Sequence, residues 1–159
     1  MIYYPEKIKE RYVKNQAAYK RFLVSAQIKK LLPVLTRLSD EVYRKNDCLA
    51  CAACCKNYSP RFKGPDIKRI SKYLGVKETT LIDQYLHRDE EGDYVLNSKP
   101  CVFLETDNRC MIYSVRPSDC QRFPYTEEDV FLKKTALTLK NASFCPIAQD
   151  MMDELIRRV

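Results

Sequence analysis

The sequence predicts a mainly α-helical protein with one small β-hairpin. Two observations predict this class. Apolar residues recur at helical spacing near both ends of the chain, and two short β-prone runs flank a turn at residues 106–108. A chain of 159 residues is long enough to bury a core in one domain without disulfide bonds.

The N-terminal segment, residues 1–46, has the pattern of amphipathic helices. In residues 6–32 basic side chains separate apolar ones at intervals of three, four and seven: Ile8, Tyr12, Tyr19, Phe22, Leu23, Ala26 and Leu31. Pro33 is expected to break or bend this helix, because proline disfavours helical geometry in the residue before it. A second helix follows, with apolar side chains on one face: Leu35, Leu38 and Val42. We expect this segment to pack on the rest of the chain.

Short elements are predicted in the rest of the chain. Residues 64–89 favour two helices separated at Gly75, because glycine suits the position just past a helix end. Cys101–Leu104 and Arg109–Tyr113 favour the two strands of the hairpin. A short helix is expected after Pro117, and helical spacing marks the C-terminal stretch at Ile147, Met151 or Met152, and Leu155.

The net charge of +7 comes entirely from the N-terminal segment. Residues 1–46 hold eleven basic and four acidic side chains, whereas residues 47–159 hold seventeen of each. A basic segment of this kind suits an acidic protein or the phosphates of a nucleic acid, or it forms a solvated face. We expect a protein partner or substrate first, then nucleic acid, and no membrane.

The location is expected to be cytoplasmic and reducing. The charged, tyrosine-rich N-terminus lacks the apolar run and cleavage site of a secretory signal, and no apolar stretch is long enough to span a membrane. In a reducing compartment, clustered cysteines are more often metal ligands or catalytic groups than disulfides.

Half of the cysteines lie in one run, DCLACAACCKNY at residues 47–58. The candidate metal ligands are Cys48, Cys51, Cys54, Cys55, Cys101, Cys110, Cys120 and Cys145. The C-x2-C spacing recurs in zinc and iron–sulfur sites because it lets two sulfurs face one ion. Packing of small apolar residues and disulfide pairing are the alternatives. The only histidine, His87, is placed on a helix away from the cysteines and is not taken as a ligand.

The cysteines divide in more than one way. Cys48, Cys51 and Cys54 repeat the start of a bacterial ferredoxin run, but its fourth cysteine falls at Tyr58. Cys145, which precedes a proline as the last ferredoxin cysteine does, is a candidate fourth ligand. A second set of four would then remain: Cys55, Cys101, Cys110 and Cys120. Other partitions stay open, and every one makes residues 47–159 a single metal-organised domain.

The cysteines and their neighbours resemble one known family. The pattern consists of Cys48-x2-Cys51-x2-Cys54-Cys55, then Cys101 with Phe103-Leu104, then Cys110-x-Ile112-Tyr113-x2-Arg116-Pro117-x2-Cys120-x2-Phe123-Pro124. Over residues 45–150 the chain is similar to the CxxCxxCC cysteine-cluster proteins, the YkgJ-like family of zinc- or iron-chelating proteins. The resemblance implies metal binding, and a related domain of flagellin lysine N-methylase implies an iron–sulfur cluster in protein methylation.

Two functions follow as expectations. The first is a protein with a [4Fe–4S] cluster on the cysteine run, accessory or catalytic in protein modification or redox chemistry. The second is a non-enzymatic zinc module that binds a protein or nucleic acid. Arg116 is expected either to donate hydrogen bonds towards the metal site or to bind Asp119 or a backbone carbonyl. Beyond the thiolates, the sequence identifies no base, nucleophile or phosphate-binding loop.

Overall fold

A computed structural model describes residues 4–158 of the chain. Residues 1–3 and 159, at the outer ends of the predicted segments 1–46 and 47–159, lie outside the described part. In chain order the elements are α1 Pro5–Ser25, α2 Ile28–Tyr43, α3 Cys48–Cys51, α4 Ala53–Asn57, α5 Gly64–Leu74, α6 Glu78–Tyr85, β1 Leu86–Arg88, β2 Tyr94–Leu96, a 3-10 turn Tyr113–Val115, α7 Ser118–Arg122, α8 Asp129–Lys133, α9 Thr135–Ala142 and α10 Pro146–Arg158. The predicted fold class, mainly α-helical with a small hairpin, is confirmed.

The described chain divides into two units. The terminal unit combines Met1–Cys48 with Pro124–Val159, and the cysteine-rich unit is Leu49–Phe123. The division predicted between residues 46 and 47 was drawn from sequence segments and stays a prediction. Among residues 4–158, no helix combines the length and apolar character that crossing a bilayer requires.

The terminal unit is a group of packed helices. α1 packs against α9 and α10, and α2 packs against α8 and α10. Polar contacts add to this packing: Arg11 is 2.7 Å from the Asp150 carboxylate and also pairs with Asp153. The Tyr19 hydroxyl donates to Asp153 at 2.7 Å. The predicted C-terminal helix is confirmed, and the apolar side chains that predicted it are buried: Ile147, Met151, Met152 and Leu155.

The break between the first two helices was predicted at the wrong place. α1 ends at Ser25, whose hydroxyl donates to the carbonyl of Arg21, and Pro33 lies inside α2. Proline inside a helix costs about 3 kcal/mol. On either side of Pro33, however, one face of α2 is buried: Leu31, Leu35, Leu38 and Val42. Each such side chain contributes roughly 1.5–3 kcal/mol on burial, so the shared face outweighs the proline.

Leu35→Ala is expected to destabilise the terminal unit by about 2–5 kcal/mol, because Leu35 is 0 % exposed and its truncation leaves a cavity. Urea denaturation followed by circular dichroism measures this change. Leu32→Ala is the matched control in the same helix, since Leu32 is 38 % exposed. Equal losses for the two variants would contradict the assignment of the buried face.

The cysteine-rich unit has its own apolar core. Its buried members come from the helices, the hairpin and the loops after them: Phe62, Ile67, Ile70, Leu81, Leu86, Leu96, Phe103 and Ile112. α5 packs against α6, as the predicted pair of short helices requires. Gly75 ends α5 with a φ of 69°, a left-handed conformation that glycine adopts without strain.

The hairpin lies elsewhere than predicted. β1 and β2 pair antiparallel, with Leu86 opposite Leu96, whereas Cys101–Leu104 and Arg109–Tyr113 share only one isolated bridge, between Leu104 and Cys110. His87 therefore lies on β1 and not on a helix. It is exposed, with its Nδ1 3.0 Å from Oδ1 of Asn97, in agreement with a surface residue.

Candidate metal centre

Four cysteines of the cysteine-rich unit come from four separate segments of the chain. Cys55 lies in α4, Cys101 and Cys110 lie on either side of a turn, and Cys120 lies in α7. We call these four residues the thiol cluster. All four are partly buried and carry free thiols. They are the same four residues that the sequence left as a second set.

Backbone hydrogen bonds bring the first three members together. The Cys101 amide donates to the Cys55 carbonyl at 2.8 Å, which joins the loop to α4. The Leu104–Cys110 bridge and a 2.8 Å bond from the Met111 amide to the Phe103 carbonyl hold the two arms of the turn side by side. Phe103, in the first arm of the turn, is buried in the core of the unit, so it fixes the turn to that core.

The alanines of the cysteine run have a structural role. Ala52, between α3 and α4, has a φ of 49°, which turns the chain so that α4 begins at the next residue. Ala52 and Ala53 are both buried, in positions where their small side chains fit. This turn places Cys54 and Cys55 together on one short helix.

Cys54 and Cys55 contact each other. Adjacent side chains in a strand point to opposite faces, but these two residues lie in a helix, where consecutive side chains are only about 100° apart. A hydrogen bond between the two thiols, together with burial, raises the pKa of Cys55 above its usual range. The assignment of Cys54 and Cys55 to different centres stays a prediction.

The thiols of the cluster are electrostatically coupled. Burial raises the pKa of Cys101 to about 11, and the nearby Cys55 and Cys110 add to the rise. Burial also raises the pKa of Cys120 well above its usual range, with further contributions from Cys55, Cys101 and Cys110. Such coupling requires the sulfurs to be near one another. Four thiolates at this place need a cation to offset their mutual repulsion.

Backbone amides already face two of the sulfurs. The pKa of Cys101 is raised by burial, but hydrogen bonds from the amides of Phe103 and Leu104 act in the opposite direction. The pKa of Cys110 is likewise raised by burial and lowered by the amide of Ile112. Hydrogen bonds to a sulfur favour the thiolate, which is the form that binds metal.

Arg116 lies beside the thiol cluster. Its Nη1 donates to the Tyr113 carbonyl at 2.8 Å, and its guanidinium lies 4.0 Å from the centre of the Tyr113 ring. Burial raises the pKa of Cys110, whereas the positive charge of Arg116 lowers it. Asp119 forms its ion pair with Arg61, at 2.8 Å. The predicted carbonyl bond is thus present, and a direct role of Arg116 at the metal stays a prediction.

The remaining cysteines lie in both units. Cys51 is half-buried in the cysteine-rich unit, as is Cys54, whereas Cys48 is exposed and Cys145 is buried in the terminal unit. Their role as ligands stays a prediction. In the described residues, no three or more cysteine, histidine, aspartate or glutamate side chains have the geometry of a bound ion. The thiol cluster is a set of neighbouring donors, and its sulfurs have to move closer together to bind a metal ion.

Tyr43 is a residue that the sequence analysis missed. It lies in the terminal unit, where burial raises its pKa above the usual range and the nearby Cys48 and Cys145 add to this rise. Its hydroxyl bonds to Thr126, whose own hydroxyl is 2.7 Å from that of Ser39. Nothing in the residues around Tyr43 marks this contact, because it depends on packing between distant parts of the chain.

The donor set of the thiol cluster fits zinc or an iron–sulfur centre. Both are bound by four cysteine thiolates, and soft sulfur ligands select these metals over magnesium or calcium. Three amide donors face the sulfurs of Cys101 and Cys110, and the positive charge of Arg116 acts on Cys110, which suits a centre with net negative charge.

Comparison with known proteins agrees with this donor set. The model of the CxxCxxCC family, described as "Putative zinc- or iron-chelating domain", matches residues 47–146. No curated protein and no solved structure matches the chain. The matched range covers more than half of the sequence and includes all eight cysteines. The chain therefore belongs to the CxxCxxCC family of metal-binding proteins.

Proposed function

We propose that the cysteine-rich unit binds one metal centre through the four thiolates of the thiol cluster, and that this centre is an iron–sulfur cluster. The observation that supports the proposal is the mutual proximity of Cys55, Cys101, Cys110 and Cys120, which come from four segments of one unit. The sequence placed the [4Fe–4S] cluster on Cys48, Cys51 and Cys54, and that assignment stays a separate prediction.

A comparison of the free energies of loop closure and metal binding favours a metal centre that stabilises the fold of the cysteine-rich unit. Bringing Cys101 to Cys55 closes a loop of more than forty residues, at a cost of roughly 3 kcal/mol. A four-thiolate zinc site contributes on the order of 10–16 kcal/mol to folding. The free energy of metal binding therefore exceeds the cost of closing the loop several-fold, without any contribution from burial of the apolar core.

An iron–sulfur cluster is the first candidate because of the donors around the sulfurs. Hydrogen bonds to cluster sulfurs and nearby charge are means by which a protein sets the reduction potential of such a cluster. The amides of Phe103, Leu104 and Ile112 and the charge of Arg116 are placed for this task. When bound, the cluster supplies one-electron chemistry, which suits a protein accessory or catalytic in redox or protein-modification reactions.

Structural zinc is the second candidate. It is favoured by the closed set of four thiolates, since structural zinc sites use four protein ligands and catalytic ones keep a position open. In that case the protein is a non-enzymatic module. The exposed basic side chains of α1, Lys9, Lys14, Lys20 and Arg21, would then serve to bind a protein or nucleic acid.

Metal and sulfide analysis under anaerobic conditions separates the two candidates. We expect purified protein to contain iron and acid-labile sulfide and to show broad visible absorbance. A colourless protein with stoichiometric zinc would support the second candidate instead. An aerobic preparation made in parallel controls for replacement of a lost cluster by zinc. Protein that binds neither, after anaerobic reconstitution with iron and sulfide, would overturn the proposed function.

A further inference from the structure

Asp66 holds together two separate parts of the cysteine-rich unit. This carboxylate lies in the first turn of α5 and is only 2 % exposed. Its Oδ2 accepts the Lys63 amide at 3.0 Å, as the third residue of a helix does in a capping box. Its Oδ1 also accepts Arg69 at 2.8 Å and the Ser118 amide at 3.1 Å, and the Ser118 hydroxyl is 3.4 Å from Oδ2. A cap alone would not need the contacts to Ser118, which is the first residue of α7.

Arg69 binds the chain just before α7. Its Nε donates to the Val115 carbonyl at 3.2 Å, and its Nη2 donates to the Arg116 carbonyl at 2.8 Å. These carbonyls belong to the short connection between Cys110 and Cys120. The Asp66–Arg69 pair therefore fixes the connection at Val115, Arg116 and Ser118, which lie between two members of the thiol cluster.

The two helices that this pair connects, α5 and α7, differ in how firmly they are held. α5 is anchored in the core of the unit by Ile67 and Ile70 and packs against α6 and the 3-10 turn. α7 has only five residues, too few to form a stable helix without tertiary contacts. The position of Cys120 in α7 thus depends on what holds that helix. Arg61 provides a second support through its ion pair with Asp119.

We infer that Asp66 and Arg69 are positioning residues for the metal centre: from α5 they hold α7 at the place where Cys120 completes the thiol cluster. This inference rests on the proposed function. The side chains of the pair act through the backbone of residues 115–118, to which they are hydrogen-bonded. Outer supports of this kind change metal affinity by roughly 10–100-fold when they are removed.

Cobalt(II) binding to the full-length metal-free protein under anaerobic conditions tests the inference. Asp66→Asn replaces one carboxylate oxygen with a donor, so the amides of Lys63 and Ser118 cannot both be accepted. Arg69→Lys keeps the positive charge but cannot span two carbonyls. We expect each variant to bind cobalt about 10–100-fold more weakly than the wild type and to shift its visible cobalt bands.

Gly75→Ala is the matched control. It strains the other end of α5, since Gly75 has a φ of 69°, and an added Cβ would touch no atom within 4 Å. We expect it to lower the Tm by a few °C with unchanged cobalt bands. If Asp66→Asn does not fold, Arg69→Lys decides the question alone.

The possible results are distinct. Folded Asp66→Asn or Arg69→Lys with wild-type affinity and bands would overturn the positioning role while leaving the proposed function intact. A Gly75→Ala variant that shifts the bands as much as the other two would also overturn it, since loss of stability would then explain the effect. Failure of the wild-type protein to bind cobalt stoichiometrically would instead count against the proposed function.

Discussion

Removing the metal is expected to unfold the cysteine-rich unit, Leu49–Phe123. The apolar core of a unit of about 75 residues rarely supplies more than roughly 3–5 kcal/mol. A four-thiolate metal contributes on the order of 10–16 kcal/mol, which is as large as the whole net stability of a domain, about 5–15 kcal/mol, so little or no stability remains once the metal is lost. Hydrogen exchange measured by mass spectrometry before and after anaerobic chelation, with metal loss verified by elemental analysis, checks this result.

The loss of hydrogen-exchange protection after metal removal should be largest in peptides that contain the thiol cluster. Peptides spanning residues 101–123 are expected to lose their protection, and peptides from α2 in the terminal unit provide an internal comparison. Restoring the metal should restore the protection. Unchanged protection of residues 101–123 in verified metal-free protein would show that the metal does not organise the unit.

Cys55→Ser is expected to weaken metal binding by the cysteine-rich unit strongly. The thiol of Cys55 is coupled to all three other members of the thiol cluster. If 10–16 kcal/mol is shared among four ligands, each supplies about 3–4 kcal/mol, which is a loss of roughly 10²–10³-fold in affinity. Titration with cobalt(II), which reports thiolate ligation through its charge-transfer absorbance, measures the change. Cys120→Ser should behave in the same way.

Cys54→Ser is the matched control for this prediction. Cys54 lies beside Cys55 in α4, is also half-buried, and hydrogen-bonds to the Cys55 thiol, but it is outside the thiol cluster. We expect it to retain the centre at Cys55, Cys101, Cys110 and Cys120. Loss of that centre in Cys54→Ser and its retention in Cys55→Ser would reverse the proposed partition of the cysteines.

The helical elements could largely be predicted from the sequence. The C-terminal helix followed from the spacing of Ile147 and Leu155, and Gly75 marked the end of α5. Pro33 misled the prediction, because the local cost of a proline is visible in the sequence whereas the burial of the α2 face is not. Packing decides whether the free energy gained by burying the α2 face exceeds the cost of the proline.

The hairpin shows the same limit for strands. Cys101–Leu104 and Arg109–Tyr113 have β-prone side chains, yet they share only one bridge, and three of their amides face cysteine sulfurs. The actual strands, Leu86–Arg88 and Tyr94–Leu96, are three residues each. Runs this short carry too little periodicity for the sequence to distinguish a strand from the end of a helix.

The sequence by itself determined the family of this protein: eight cysteines in an ordered pattern identify a zinc- or iron-chelating domain and make sulfur the predicted ligand. Only the tertiary structure decided which thiols are neighbours, because Cys55, Cys101, Cys110 and Cys120 are brought together by hydrogen bonds and core contacts between segments far apart in the chain. It also showed the Asp66–Arg69 pair beside α7, in which Asp66 is buried and Arg69 is half-exposed. The contacts of this pair span about fifty residues and leave no local pattern. Residue type determines which metal a site prefers, whereas long-range packing determines where the site forms.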